Sequence, residues 1–217
     1  MNIEQARFNM IEQQIRPWDV LDKGVLGLLA VVRREDFVPA AYRALAFVDT
    51  EVPLGEGERM LAPRVEARML QDLQVQRHER VLEIGAGSGF MAALLGHRAQ
   101  SVITLEIKPA LAKMAAENLR RSGASNVTVV QANGAHGHAA EGPFDAIMLS
   151  GSVSRVPEDL LRQLKPGGRL VAIEGDEPVM EAARYTANAD GTFARVGLFD
   201  LDAARLLGFP EPARFHF

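Results

Sequence analysis

The segment Val81-Leu82-Glu83-Ile84-Gly85-Ala86-Gly87-Ser88-Gly89-Phe90 passes from an apolar strand into a tight glycine turn and then into a helix pattern. Val81, Leu82 and Ile84 suit a strand covered on both faces, which restricts the chain to an α/β sheet with helices on either side. Glycines at 85, 87 and 89 let the backbone approach a ligand without a Cβ in the way. Amides at the start of the next helix can then face that ligand. The dinucleotide fingerprint G-x-G-x-x-G requires glycine at position 90, where this chain has Phe90, so a nicotinamide or flavin site is disfavoured.

A second signal lies one βα unit further on. The apolar run Ser101-Val102-Ile103-Thr104-Leu105 ends in Glu106, followed by Ile107, which places a carboxylate at the carboxyl tip of the neighbouring strand. Ligands of open α/β sheets bind at those tips, and a carboxylate there can accept hydrogen bonds from both hydroxyls of a ribose. Taken alone Glu106 is a solvated strand end; with the glycine turn at this spacing the ribose role is favoured.

Composition narrows the classes. With 217 residues and 47% hydrophobic content the chain can bury one substantial core, so a single domain over 1-217 is expected. A formal net charge of -4 gives no electrostatic footprint for nucleic acid or an anionic membrane. The absence of cysteine excludes disulfides, zinc-thiolate sites and thiol nucleophiles. No apolar run reaches spanning length and the first 16 residues are polar and amphipathic, so the expected location is the cytoplasm.

The expected organisation is a helical region over 1-78 beside the acceptor and an α/β core over 79-217 that binds the cofactor. Val25, Leu28, Leu29 and Val32 share a helix face, Pro39 and Pro53 bracket a short segment from Ala40 to Phe47, and Pro63 opens a helix from Arg64 to Leu73. Strands are predicted near 80-84, 101-106, 126-131, 144-150 and 168-174, with helices near 91-98, 109-121 and 157-163. That alternation implies a Rossmann-like, doubly wound, mostly parallel sheet. Asp190-Gly191 between two extended runs predicts a C-terminal hairpin, hence an antiparallel edge.

Other constellations carry less. Asn133-Gly134 follows the third strand, where Asn133 can pair with a base edge or form an ordinary Asn-Gly turn. Ser150 and its neighbours follow the fourth strand and can line a transfer site, but they do not form G-x-S-x-G, which argues against a serine hydrolase. His136 and His138, near Glu141, lack a third ligand at metal spacing, and no metal site is expected. Met60, Met69 and Met91 flank the cofactor region and read first as core filling.

The spacing E-x-G-x-G-x-G resembles motif I of S-adenosylmethionine-dependent methyltransferases. Beyond it, Met10-Ile11-Glu12-Gln13-Gln14-Ile15-Arg16, Phe37-Val38-Pro39-Ala40-Ala41-Tyr42, Ala46-Phe47-Val48-Asp49, Pro53-Leu54-Gly55, Phe144-Asp145-Ala146-Ile147, Val156-Pro157 and Leu164-Lys165-Pro166-Gly167-Gly168-Arg169-Leu170 resemble the protein-L-isoaspartate O-methyltransferase family. The resemblance covers most of the chain, and its amino-terminal block is the most specific part. It implies S-adenosyl-L-methionine as cofactor and, as partner, a protein or peptide bearing isoaspartyl residues, with the α-carboxylate methylated in a repair reaction.

On this reading Glu83, Gly85, Ala86, Gly87, Ser88 and Gly89 support the methionine end, Glu106 and Ile107 the ribose, Asn133 and Gly134 the adenine, and Ser150 the transfer site. The departure falls at the acceptor motif. The family carries G-x-G-Q-T-I-S, whereas this chain reads Gly55-Glu56-Gly57-Glu58-Arg59-Met60-Leu61, with Leu61 in place of the serine. Asn133 likewise replaces a usual aspartate. Gly55, Arg59, Met60 and Leu61 are therefore the expected acceptor residues, with Arg59 able to hold a carboxylate by a bidentate fork. Two alternatives stay open: the same scaffold with a different acceptor, and a catalytically silent cofactor-binding protein.

Overall fold

A computed structural model describes residues 2–211. Helices lead: α1 (Ile3–Asn9) runs into a π-helical stretch (Met10–Ile15) and a 3-10 turn (Arg16–Trp18), followed by α2 (Lys23–Val31). Two 3-10 segments, Arg34–Asp36 and Ala40–Phe47, then lead to a hairpin of β1 (Val52–Gly55) and β2 (Glu58–Met60), and to α3 (Pro63–Leu73). Pro63 occupies the first turn of α3, where no amide donor is required, and Gln74 ends the helix in the left-handed region.

The rest alternates strand and helix: β3 (Arg80–Ile84), α4 (Phe90–Arg98), β4 (Ser101–Glu106), α5 (Pro109–Ser122), β5 (Val127–Gln131), β6 (Phe144–Val153), α6 (Glu158–Leu161), β7 (Leu164–Asp176), β8 (Val179–Ala187) and β9 (Phe193–Asp200). The seven-stranded sheet has the order β5-β4-β3-β6-β7-β8-β9. β3 to β7 pair in parallel, while β8 and β9 extend one side of the sheet in antiparallel pairing. The chain winds outward from β3 through β4 to β5, then returns to place β6 on the other side of β3. That reversal opens a crevice at the carboxyl ends of β3 and β6.

Side-chain alternation sorts the core into two layers. Val81 and Val102 join Ala146 and Met148 against the amino-terminal helices, α3 and α4. Leu82, Ile84, Leu105, Ile147, Leu149 and Leu170 face the other way, in a cluster with Leu160 of α6. Leu82 is fully buried, so truncation to alanine would cost about 2–5 kcal/mol.

Most expected elements form with small changes of length. The strand expected over 144-150 continues to Val153 and that over 168-174 spans Leu164–Asp176, while the helix expected over 157-163 is the single turn Glu158–Leu161. The β1–β2 hairpin was not foreseen, because Pro53 reads as a breaker; it sits in a two-stranded ribbon, where one edge needs no donor. Among the described residues no helix is long and apolar enough to cross a membrane, and no group of three metal-ligating side chains forms.

Candidate cofactor and acceptor site

The glycine turn takes the conformation its sequence demands. Gly85, Gly87 and Gly89 all have positive φ, at 92°, 52° and 84°. The amides of Gly85 and Ala86 both donate to the Leu105 carbonyl, at 2.9 and 3.1 Å, which binds the turn to the tip of β4. Glu106, buried at that tip, accepts from the Gly87 amide at 2.9 Å and the Lys108 amide at 3.0 Å. Gly89 serves packing: a Cβ there would lie 3.2 Å from the Ala115 backbone, so its role is to let α4 approach α5.

Two cavities meet at this turn. The first is lined by Gly85, Gly87, Glu106, Ile107, Gly134 and Ser150, with Leu206 and Arg205. The second is lined by Met60, Leu61, Glu66, Glu83, Ala86 and Ser88. Arg59, Gly85, Gly87 and Ser150 border both, so they mark the junction. Arg59 is exposed and, among the described residues, its guanidinium enters no ion pair; its charge favours the ionised Glu51 carboxyl, against the larger effect of burial, which raises that group.

Twelve of the expected site residues therefore converge on the two cavities. Three do not line them. Gly55 lies at the β1–β2 turn, Gly89 packs helices, and the Asn133 side chain accepts from the Ala135 amide at 3.0 Å while lying against Gly208.

The second cavity is unusual electrostatically. Glu83 is fully buried and accepts from the Ser150 hydroxyl at 2.7 Å through Oε1, while Oε2 lies near the Thr104 hydroxyl without a well-formed hydrogen bond among the described residues. Burial pushes its pKa up to about 8, the Glu66 and Glu106 charges add to this, and the Thr104 and Ser150 hydroxyls oppose it. Burial likewise raises Glu66 to about 7, against the pull of Arg34. Arg34, also buried, pairs with Glu66 Oε2, donates to the Leu61 carbonyl at 2.7 Å and lies 5.1 Å from the centre of the Phe90 ring.

Sequence reasoning missed Arg34, Glu66, Arg205 and Leu206. Glu66 did leave a signal: it occupies the first position of the i, i+3, i+4, i+7 stripe completed by Met69, Leu70 and Leu73, where an apolar residue is expected. The 201–209 segment left none, because it is held by distant contacts. Ser152 and Leu206 exchange backbone hydrogen bonds with that segment and β6 at 2.8 Å, and Arg205 pairs with Asp176.

An open sheet with a glycine turn and strand-tip carboxylate at its reversal point, and a second cavity opening beside it, defines an α/β protein of the methyltransferase type. The profile of the protein-L-isoaspartate(D-aspartate) O-methyltransferase (PCMT) family matches residues 5–196, and the chain belongs to that family. It is 40% identical over 210 residues to a protein-L-isoaspartate O-methyltransferase of Rhodopseudomonas palustris, covering 94% of this chain and 96% of the relative. A namesake from Methanoculleus marisnigri is 40% identical over 171 residues, 79% of this chain and 78% of the relative. The fold matches a Plasmodium falciparum protein-L-isoaspartate O-methyltransferase solved with S-adenosyl-L-homocysteine, with a TM-score of 0.78, 23% identity, and 95% and 98% of the two chains covered.

Proposed function

We propose that the chain transfers the methyl group of S-adenosyl-L-methionine to the α-carboxylate of L-isoaspartyl residues in damaged proteins. The observation that carries the reading is the junction: an Arg59 guanidinium with no ion-pair partner among the described residues stands where the two cavities meet. The residues fit the cofactor. Gly85 and Gly87 leave the floor of the cleft free of side chains, Glu106 offers acceptors for a ribose, and Glu83 Oε2 offers one for an ammonium group. When bound, S-adenosyl-L-methionine supplies an electrophilic methyl on a sulfonium.

The protein's task is then alignment. A carboxylate acceptor is anionic at neutral pH and needs no general base. Arg59 holds one edge of it by a bidentate fork, and Met60, Leu61, Phe90 and Met91 exclude water around the transferring methyl. Charge is lost as carboxylate and sulfonium meet, so a dry cavity favours the transition state. We infer that the reaction takes place in the cytoplasm.

Calorimetric binding of S-adenosyl-L-methionine tests the cofactor half, and base-labile ester formation on an isoaspartyl peptide tests the acceptor half. Leu61 supports a second reading, in which the scaffold serves a different acceptor; transfer to some other carboxylate with none to isoaspartate would select it. Binding without turnover on any acceptor would select the silent form.

A further inference from the structure

Resting on the isoaspartyl reading, we propose that Glu66, as a neutral carboxylic acid, is the hydrogen-bond donor that holds the acceptor carboxylate in place of the missing serine hydroxyl. Glu66 lies five residues after Leu61, is 4% exposed, and lines the same cavity. Its Oε2 is taken by Arg34, whereas Oε1 has no hydrogen bond among the described residues. A proton on Oε1 is then free for a group entering the cavity that Glu66 lines, while Oε2 still accepts from Arg34. Leu61 itself can offer only its backbone, and Arg34 already occupies that carbonyl at 2.7 Å.

Charge balance makes the neutral form the one that accompanies acceptor binding. In the free cavity the Arg34 guanidinium is balanced by Glu66. An entering carboxylate adds a negative charge beside two buried carboxyls, and like charges confined together favour retention of one proton. Once Glu66 takes that proton, the acceptor replaces it as counter-ion to Arg34 and Arg59, and its second oxygen stays free to attack the methyl. The charged or titratable groups lining this cavity are Glu66 from α3, Glu83 from β3 and Arg59 from β2, with Arg34 behind from its 3-10 turn; α4 contributes Phe90 and Met91, the glycine turn Ser88, and β6 Ser150. The raised affinity of Glu66 for its proton, caused by burial, places the exchange near neutrality. A buried carboxylic acid kept neutral so that it can donate is an established catalytic device on other scaffolds.

The test is calorimetry of an isoaspartyl peptide, with its aspartyl counterpart as control, binding to the protein saturated with S-adenosyl-L-homocysteine. Titrations are run between pH 6 and 8.5 in buffers of low and high ionisation enthalpy. Wild type should take up close to one proton per isoaspartyl peptide at pH 8 and progressively less below pH 7, with affinity falling about tenfold per unit above pH 7.5. Glu66→Gln, whose amide donates without gaining a proton, should show no uptake and a pH-independent affinity. Glu66→Leu should bind at least tenfold more weakly than Glu66→Gln, with thermal unfolding used to confirm that both variants are folded. Isoaspartyl binding without proton uptake, or uptake that persists in Glu66→Gln, would overturn the proposal while leaving the isoaspartyl reading intact. Equal binding of isoaspartyl and aspartyl peptides would overturn both.

Discussion

The Glu106 carboxylate holds the glycine turn from outside, accepting from the Gly87 amide at 2.9 Å through Oε2. The group assigned to the ribose therefore also braces the backbone on which the rest of the cofactor would lie. Glu106→Ala removes a charged acceptor from the ligand and a partner from Gly87. Affinity for S-adenosyl-L-methionine should fall by about 2 kcal/mol, and Glu106→Gln, which keeps one acceptor, should lose less. Calorimetry showing unchanged affinity in Glu106→Ala would remove Glu106 from the site.

Leu206 closes on the same turn from above. A Cβ on Gly85 would lie 2.6 Å from Leu206 Cδ2, at a φ of +92° that side chains rarely adopt. Gly85→Ala should therefore destabilise the fold by about 2 kcal/mol or more. Adding Leu206→Ala should recover about 1 kcal/mol by removing the clash, leaving the backbone strain. Urea unfolding of the two single variants and the double variant measures this coupling; strict additivity would show that Leu206 does not rest on the turn.

The buried carboxyls give stability a pH dependence of definite sign. Glu66 and Glu83 are raised from 4.5 to about 7 and about 8, so the folded chain binds more protons than the unfolded one throughout that interval. Stability should fall as pH rises from 5 to 8, by at most about 1.4 kcal/mol per pH unit for each group, and level off above. Asp145, held below its usual range despite partial burial by the Arg80 amide and Lys165, acts in the opposite sense only in more acidic solution. Glu83→Gln should flatten the upper part of the slope. Urea titrations at pH 5.5, 7 and 8.5 that show rising wild-type stability would contradict the burial of these groups.

The proposed acceptor site rests on Arg59 and Leu61, which line the same cavity. Arg59→Ala should lower kcat/KM for an isoaspartyl peptide tenfold or more with cofactor affinity unchanged, since the guanidinium borders the junction without any ion-pair partner among the described residues. Leu61→Ser returns a hydroxyl to the cavity and should raise turnover on the same peptide. Steady-state kinetics in which Arg59→Ala matches wild type would place the acceptor elsewhere.

What could be read from the sequence was local. Three glycines between an apolar strand and a helix, Pro63 at a helix start and Asp190-Gly191 between extended runs each impose a backbone conformation on their neighbours, and each appears where expected. What escaped depends on partners distant in sequence. Arg34 meets Glu66 across 32 residues, and Leu206 reaches Gly85 only because β6 aligns the 201–209 segment beside it. Glu66 lies between these cases: its place on an apolar helical stripe was legible, but the cavity that explains it was not. Asn133 shows the reverse, since an Asn-Gly pair reads the same in sequence whether or not its side chain oxygen accepts from its own turn, as Oδ1 does from the Ala135 amide.

The most direct measurement is base-labile methyl-ester formation from S-adenosyl-L-methionine on a peptide carrying one isoaspartyl residue, set against the same peptide with aspartate. Methyl transfer to the isoaspartyl peptide alone, diminished in Arg59→Ala and increased in Leu61→Ser, is the predicted result. No ester on either peptide from wild type or Leu61→Ser, with the cofactor bound normally in both, would contradict it.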